Sequence, residues 1–347
     1  MTGQTTDDSA PAPIELLPAS HWATQTADVD DDDADSALSS TLGSSTTSLS
    51  ESIFNYRELY GRTYHSERGN ALYWAANDAK QNESMDILHH LLLLLFDGKI
   101  YQAPLDKGVK KALDIGTGTG NWAFDFADEY PDCQVTGTDI SPIQPGWVPP
   151  NLKFEIEDCT QTWSYPDASL DYVHIRGLIG SIQDWNTLVA EAYRVLKPGG
   201  WLESVEPSDR IEGADGGIKP TDALGQWHQL FRASEKTMGR PFDLYDRGTQ
   251  KKAFQAAGFE QIQNRDVTVP LSQWPADPKW KEIGMAAQAY FTHDTEGFCL
   301  FIAATQGWKH EEVKVYVDLC HREIKSIKKR AQYAWRSVWG RKPEAAS

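Results

Sequence analysis

The run from Ala112 to Trp122, Ala-Leu-Asp-Ile-Gly-Thr-Gly-Thr-Gly-Asn-Trp, constrains the fold of this chain more than any other stretch. An apolar strand leads to an acid, Asp114, and the glycines Gly116, Gly118 and Gly120 follow at alternate positions. Because glycine has no Cβ atom, the backbone can turn sharply there and a ligand can approach it closely. A helix that begins after such a turn has free N–H groups in its first turn. The pattern therefore predicts a strand, a ligand-binding loop and a helix in that order.

The glycine spacing separates two kinds of nucleotide loop. Dinucleotide-binding folds use G-x-G-x-x-G, which places a pyrophosphate on the helix end, whereas this chain has G-x-G-x-G with Asp114 two residues before the first glycine. This form resembles the S-adenosylmethionine loop of class I methyltransferases, in which the acid faces the ammonium group of the methionine. The alternative is an incidental glycine-rich turn, because short glycine patterns also arise by chance. The expected cofactor contacts in this loop are Asp114, Gly116, Thr117, Gly118, Gly120, Asn121 and Trp122.

Further strand patterns follow the loop, and two of them end beside an acid. Residues 133–138 lead to Asp139 and Ile140, and an acid at that place can accept hydrogen bonds from both ribose hydroxyls. Residues 152–156 lead to Asp158 and Cys159, the place where class I methyltransferases hold the adenine amino group and ring. We predict the other strands at 111–115, 170–175, 200–206, 260–270 and 331–341. Together they form an α/β fold, a Rossmann-like seven-stranded sheet with helices on both faces.

The first fifty residues differ in composition from the rest of the chain. They are rich in Ser, Thr and Asp and contain no Lys or Arg, so they carry much of the net charge of −17. Such a segment buries too little apolar surface to offset its ordering entropy. We therefore predict a disordered acidic tail over residues 1–51. The negative charge of the chain also argues against direct binding of nucleic acid.

The sequence shows no sign of export or of a membrane span. Its N-terminus lacks a basic region followed by an apolar one, as a secretory signal would have. The apolar run Leu91–Phe96 is too short to cross a bilayer. Its four cysteines have no paired or metal-like spacing, which fits a reducing compartment. We expect a cytoplasmic protein, with the nucleus as an additional location.

Three further regions complete the predicted organisation. Residues 52–110 read as an N-terminal helical extension, and residues 111–343 read as the main α/β domain, with a helical cap formed by insertions around 207–247 and 271–309. Ligands bind beyond the carboxyl ends of the strands in open α/β sheets, so these insertions can fold over the site. The alternative is that their aromatic side chains pack the core of the cap. The candidate substrate-pocket residues are Trp227, His228, Phe231 and Met285, together with Trp274, Trp280 and Phe291.

The chain resembles the fungal methyltransferases related to the LaeA-type regulators of secondary metabolism, from about residue 47 to residue 343. The segments 141–145 (Ser-Pro-Ile-Gln-Pro) and 147–151 (Trp-Val-Pro-Pro-Asn) carry this resemblance most specifically. The segments Gly61–His65 and Gly340–Pro343 also fit. The resemblance implies S-adenosylmethionine as the cofactor and S-adenosylhomocysteine as its product, with Tyr64 closing over the methionine end.

The chain departs from the usual family pattern in the N-terminal extension. Its Asn77-Asp78 pair is present, but Ala79, Gln81 and Ser84 stand where the family usually has charged residues. The segment Tyr73–Ala76 replaces a proline-containing approach to that pair. The resemblance assigns this region to closure of the cofactor site or to docking of a protein partner.

Two residues at the predicted end of the fourth sheet strand are the main catalytic candidates. Methyl transfer from a sulfonium is an in-line displacement, so alignment of donor and acceptor can supply much of the catalysis, and a base is needed only if the acceptor must lose a proton. His174 is a candidate base that would also contact the cofactor, and Arg176 can orient an acceptor carboxylate. A core histidine and a structural arginine are the alternatives, and Glu206 is a second candidate base. We expect no metal, because the adjacent pair His89-His90 would point in different directions on a helix.

Two functions of different classes fit these patterns. The first is an S-adenosylmethionine-dependent methyltransferase that modifies a small molecule of fungal secondary metabolism. The second is a regulatory methyltransferase subunit that acts on metabolite gene expression through a protein partner, docked by the N-terminal region. A dinucleotide oxidoreductase is disfavoured by the glycine spacing.

Overall fold

The computed structural model describes residues 15–25, 56–65 and 71–344. Seven strands form its central sheet: β3 (Lys111–Ile115), β4 (Gln134–Asp139), β5 (Leu152–Ile156), β6 (Leu170–Arg176), β7 (Leu196–Gly213), β8 (Glu260–Pro270) and β9 (Ala331–Arg341). Their order across the sheet is β5-β4-β3-β6-β7-β9-β8. The predicted seven-stranded α/β sheet is confirmed.

The sheet is parallel except at one side. Strand β3 pairs in parallel with β4 and β6, β4 with β5, and β6 with β7, whereas β9 runs antiparallel to both β7 and β8. The chain winds outward from β3 in both directions, so the strand order reverses beside β3. A crevice forms at such a reversal, outside the carboxyl ends of the strands, and there the glycine loop begins.

From residue 71 onward, the described chain contains nine helices besides the sheet: α2 (Ala79–Leu95), α3 (Asn121–Glu129), α4 (Trp185–Val195), α5 (Ala223–Met238), α6 (Leu244–Arg247), α7 (Thr249–Ala257), α8 (Pro278–His293), α9 (Thr295–Thr305) and α10 (His310–Lys325). Helices α3, α4 and α7 follow strands or lead into them, α2 packs against α8, and α8 contacts the edge strand β8. Helices α5, α9 and α10 pack against one another, and α5 packs on β7.

Strand β7 extends well beyond the predicted range 200–206, to Gly213. Its second half is held by β9, and the register shifts between two pairs: Pro207 lies opposite Trp335, whereas Ile211 lies opposite Tyr333. Four residue steps on β7 therefore match two steps on β9, so β7 carries a bulge. The bulge turns Ser208 and Asp209 towards the crevice, and the first residues of the predicted cap insertion belong to the sheet.

The N-terminal extension is only partly helical, which corrects the prediction for residues 52–110. A short hairpin of β1 (Arg57–Leu59) and β2 (Arg62–Tyr64) precedes α2. The Arg62 guanidinium donates to both carboxylate oxygens of Asp78, at 2.5 and 2.9 Å, and to both of Asp294, at 2.8 and 2.7 Å. Because Asp78 caps α2 and Asp294 caps α9, one side chain ties the hairpin to both helices.

The prediction of a disordered tail is wrong for residues 15–25. This segment contains α1 (Ala19–Ala23), whose Trp22 is only 1% exposed and packs edge-on against Tyr316 of α10. The Leu17 N–H also donates to the Gln226 side chain at 2.7 Å. Composition averaged over fifty residues hides this short apolar segment. The remaining parts of the predicted tail, 1–14 and 26–51, lie outside the described residues.

Candidate active site

An elongated cavity begins at the glycine loop and continues beneath the cap helices. We call its two parts the glycine-loop half and the aromatic half. The glycine-loop half lies at the ends of β3, β4 and β5 and includes Gly116, Thr117, Gly118, Asp139, Ile140, Asp158 and Cys159. The aromatic half lies over β7 and β9 and includes Trp74, Trp227, Phe231, Phe242, Phe291, Phe298, Tyr333 and Trp335.

The glycine loop has a backbone that other residues would strain. Gly116 and Gly120 have φ angles of +66° and +89°, in the left-handed region that glycine adopts without steric cost. A Cβ on Gly116 would lie 2.5 Å from a methyl carbon of Leu178, and one on Gly120 would lie 2.4 Å from the Phe154 ring. The loop therefore fits tightly between its neighbours, and its glycines are needed for its shape.

Asp139 lies at the end of β4, and its side chain is hydrogen-bonded to the glycine loop. One carboxylate oxygen accepts the Gly118 N–H and the other accepts the Ser141 N–H, both at 2.9 Å. Burial raises the pKa of Asp139 to about 6. Each oxygen has a further lone pair, so a carboxylate fixed by two backbone donors can also accept the hydroxyls of a ribose. Its place at the end of β4 fits that role.

Asp158 and Cys159 line the same half at the end of β5. One carboxylate oxygen of Asp158 accepts both the N–H and the O–H of Thr160, at 2.9 and 2.7 Å. The Gln144 side chain, from the Ser-Pro-Ile-Gln-Pro segment, donates to the Gly118 carbonyl at 2.7 Å. These contacts fix the wall in which the sequence pattern predicts adenine binding.

Asp114 does not face the cavity, which corrects the predicted contact with the methionine ammonium. It is 2% exposed and lies beneath the loop. One carboxylate oxygen is 2.7 Å from His174 Nδ1, and the other accepts the Thr117 hydroxyl at 2.6 Å. The His174 ring stacks on Trp122 with a centroid separation of 3.8 Å. Asp114, His174 and Trp122 thus support the loop from below.

His174 is therefore misplaced as a base and as a cofactor contact. It is 1% exposed, and burial lowers its pKa. Its ring lies between Trp122 and the sheet and does not line the cavity. The alternative of a core histidine describes it better.

Three other predicted cofactor contacts also lie outside the cavity lining. Gly120 forms the N-cap of α3, and the Asn121 side chain donates to Asp86 at 2.6 Å. Tyr64 is 1% exposed and packs against Phe301. Gly120 and Asn121 shape the start of the helix, whereas Tyr64 anchors the hairpin, so none of them reaches the space where a ligand fits.

Glu206 is also wrong as a candidate base. It is 1% exposed, and its two oxygens accept the N–H groups of Leu178 and Ile179 at 3.0 and 2.9 Å. Burial raises its pKa to about 8. Its carboxylate holds the loop after β6 in place and lies behind the cavity wall.

Arg176 reaches the cavity from the end of β6. Its Nη1 atom is 3.2 Å from His89 Nδ1, and His89 Nε2 is 2.8 Å from an Asp125 carboxylate oxygen. Within the described ranges, no carboxylate forms an ion pair with Arg176, and burial lowers its pKa. A cation in this position is suited to hold an anionic group of a bound molecule.

The cap supplies only some of the predicted pocket residues. Trp227, Phe231 and Phe291 line the aromatic half. Met285 is 53% exposed on α8, and His228 is turned towards Gln229, with Nε2 3.0 Å from the amide nitrogen. Trp274 and Trp280 do not line the cavity either. Residues on one helix face different directions, and the composition of the insertions alone does not show which face is inward.

The sequence patterns do not predict several residues that line the cavity. Tyr73, Trp74 and Asn77 come from the N-terminal extension, and Tyr333 and Trp335 come from β9. The Trp74 indole donates to the Ile179 carbonyl at 2.7 Å, and its ring packs edge-on against Phe231 and Phe242. A signal existed for Tyr73 and Trp74, because they form the departure from the family pattern.

The described residues show neither a group of metal-ligating side chains nor a membrane-spanning helix. Within residues 15–25, 56–65 and 71–344, no group of three His, Cys, Asp or Glu side chains is arranged to hold a metal ion. No helix in these same ranges is long and apolar enough to span a bilayer.

Comparison with known proteins gives consistent matches. A family model described as "Methyltransferase domain" matches residues 87–264. "Methyltransferase pytC" of Aspergillus terreus is 37% identical over 277 residues, which cover 78% of this chain and 83% of that protein. "Secondary metabolism regulator LAE1" of Cochliobolus heterostrophus is 34% identical over 284 residues, covering 78% and 91%. "Protein-methionine methyltransferase laeA" of Emericella nidulans is 32% identical over 231 residues, covering 66% and 60%.

The strand order, the glycine loop and the acids after β4 and β5 define a class I methyltransferase that uses S-adenosylmethionine. The residues fit this cofactor, because Asp139 and Asp158 line one half of a cavity whose glycine turn leaves room beside the backbone. The relatives above are more than 30% identical to the chain over most of its length. The chain therefore belongs to the LaeA-like family of fungal methyltransferases.

Proposed function

We propose that this enzyme methylates a small molecule of fungal secondary metabolism that is largely apolar and carries a few polar groups. The observation that carries the proposal is the continuity of the cavity, which runs from the glycine-loop half directly into the aromatic half. Largely apolar, enclosed sites with a few polar groups are typical of small-molecule binding. The relative named pytC, a methyltransferase, gives additional support.

The chain's own residues act mainly by placement. Asp139 and Asp158 hold the nucleoside part of the cofactor, which when bound supplies an electrophilic methyl group for in-line displacement. The aromatic walls exclude water and hold the acceptor near that methyl group, and such alignment can provide most of the rate increase. Arg176 orients an acidic group of the acceptor. Asp209 also lines the cavity, but Arg232 pairs with both of its oxygens, at 2.6 and 2.9 Å.

The N-terminal extension supplies a specificity element. Tyr73 and Trp74 line the cavity, and they belong to the segment in which this chain departs from the usual family sequence. Trp74 contacts Phe231, Phe242 and Phe298 across the aromatic half. A change there alters the acceptor space while the glycine-loop half stays the same, as expected for a family member with its own acceptor.

A cavity-filling variant tests the proposal. Ser208→Trp places a large ring in the aromatic half, whereas Met285→Trp adds the same ring on the exposed surface of α8. With radiolabelled S-adenosylmethionine and fungal extract, we expect label in the small-molecule fraction with the wild type and Met285→Trp. With Ser208→Trp that label should disappear while affinity for S-adenosylhomocysteine persists. Label in a protein, unaffected by Ser208→Trp, would contradict the proposal.

That contradicting result would favour a second function, a regulatory methyltransferase that acts through a protein partner. Two relatives are described as a secondary metabolism regulator and a protein-methionine methyltransferase, and these names favour this candidate. The N-terminal region would then serve as the docking surface. Fluorescence microscopy of the tagged chain tests the associated location, for which we propose the cytoplasm, with the nucleus as an additional compartment under the regulatory function.

A further inference from the structure

Strand β9 brings two polar atoms without partners into the aromatic half. Tyr333 and Trp335 alternate along the strand, so both point to the same face, and both line the cavity. They are 4% and 1% exposed. In the described part of the chain, neither Tyr333 Oη nor Trp335 Nε1 has a hydrogen-bond partner of normal geometry.

Unpartnered polar atoms in such a place are unusual. Most buried polar side-chain atoms in proteins make at least one hydrogen bond, so each exception asks for an explanation. The cost of leaving such a group unpaired is about 1–3 kcal/mol. A bound molecule that supplies the missing partner would account for both atoms.

The surroundings show which kind of partner fits. The Trp335 and Tyr333 rings lie edge to face with their centroids 6.2 Å apart, and burial raises the pKa of the Tyr333 phenol, which therefore keeps its proton. The protonated phenol can donate its O–H, and the indole N–H of Trp335 can only donate. Tyr73 and Tyr290 line the same cavity, so two further phenols border the space beside Tyr333.

We propose that Tyr333, supported by Trp335, donates a hydrogen bond to a carbonyl-type oxygen on a flat aromatic or polycyclic acceptor molecule. An indole N–H is a donor only, and a protonated phenol donates its O–H, so the group that complements both is an oxygen that accepts. The neighbouring rings Phe291 and Trp74 provide flat apolar walls. This inference rests on the proposed small-molecule function and names the substrate class for it.

A matched pair of probes tests the inference. Methyl naphthyl ketone and isopropenylnaphthalene share their shape and differ in C=O against C=CH₂. Each is titrated by calorimetry into the full chain with S-adenosylhomocysteine present. We expect the wild type to bind the ketone about tenfold more tightly. Tyr333→Phe should bind both probes equally, and Tyr60→Phe, on an exposed tyrosine, should keep the preference.

Stability of the free protein gives a second readout. Tyr333→Phe removes a hydroxyl that has no partner, so its unfolding midpoint should stay the same or rise. Tyr316→Phe is the matched control, because the Tyr316 hydroxyl donates to the Ala223 carbonyl at 2.9 Å in an equally buried place. That variant should unfold earlier than the wild type.

The outcomes separate this inference from the proposed function. Equal affinity of the wild type for the two probes, binding of neither probe, or a ketone preference that survives in Tyr333→Phe would overturn the inference. A lowered unfolding midpoint of Tyr333→Phe would also overturn it, since the hydroxyl would then be structurally bonded. If S-adenosylhomocysteine binds normally in the same titrations, the inference fails alone; if it does not bind, the proposed function fails as well.

Discussion

The two halves of the cavity are built in different ways. In the glycine-loop half, backbone groups and short-range contacts dominate: Asp139 is held by two N–H groups, and the loop has a shape that only glycine fits. In the aromatic half, large rings from distant parts of the chain meet, such as Trp74, Phe231 and Trp335. The first half can keep its shape while the second changes. This division suits an enzyme family with one cofactor and several acceptors.

The largest effect is expected from Asp139, whose carboxylate is hydrogen-bonded to the glycine loop and to the turn after β4. Asp139→Ala removes the ribose acceptor and leaves the N–H groups of Gly118 and Ser141 without a partner. Losing several charge-assisted hydrogen bonds should weaken S-adenosylhomocysteine binding about a thousandfold. Isothermal titration calorimetry measures this, with the exposed Asp132→Ala as control. Unchanged affinity would refute the assignment of Asp139.

A second prediction concerns Trp22 of α1, which packs against α10 in the helical cluster that covers the aromatic half. Trp22 is 1% exposed against α10, which packs on α5 and α9. Trp22→Ala should lower the free energy of unfolding by about 3 kcal/mol, because it leaves a large cavity. Trp147→Ala, at a residue that is 78% exposed, should change it by at most about 0.5 kcal/mol. Urea titration gives both values, and equal stability of the two variants would show that α1 is not packed in solution.

The glycine turn gives a smaller and more local effect. Gly116→Ala forces a Cβ into contact with Leu178 and places alanine at φ +66°. Such strain should cost about 2 kcal/mol in the free energy of unfolding. Gly146→Ala is the matched control, because a Cβ there meets nothing within 4 Å. If both variants unfold at the same urea concentration, the tight fit of the loop is wrong.

The last prediction concerns the pH dependence of stability at Glu206. Its pKa is raised in the folded protein from 4.5 to about 8, because burial disfavours the charged form. The folded state therefore binds more protons than the unfolded state in this range, and stability falls as the pH rises from about 4.5 to 8. Glu206→Gln should flatten this fall, and the exposed Glu282→Gln should not. Urea titrations at several pH values would contradict this if the two variants gave the same slope.

The sequence predicts the two halves unequally well, for a physical reason. The strands from β3 to β6 and the positions of Gly116, Asp139 and Asp158 follow from local patterns, because their conformations depend on nearby residues. The aromatic half depends on which face of α5 or α8 turns inward and on the pairing of β7 with β9. Those are long-range contacts, so Tyr333 and Trp335 were missed and Met285 was misplaced.

Local sequence patterns also predict a direct role in binding or catalysis for residues that the fold buries. Asp114 and His174 lie in the expected strands, but each satisfies the other beneath the loop, at 2.7 Å. The sequence shows that these residues are near the site and does not show on which side of the loop they lie. The same reason explains Glu206, which has two backbone N–H groups as partners behind the cavity wall.

A calorimetric titration of the full chain with S-adenosylhomocysteine, with NAD as the control, shows directly which cofactor the glycine-loop half binds. The geometry of the glycine-loop half, with Asp139 and Asp158 at the ends of β4 and β5, predicts tight binding of S-adenosylhomocysteine and none of NAD. Binding of NAD, or of neither ligand, would show that this half is not a functional S-adenosylmethionine site.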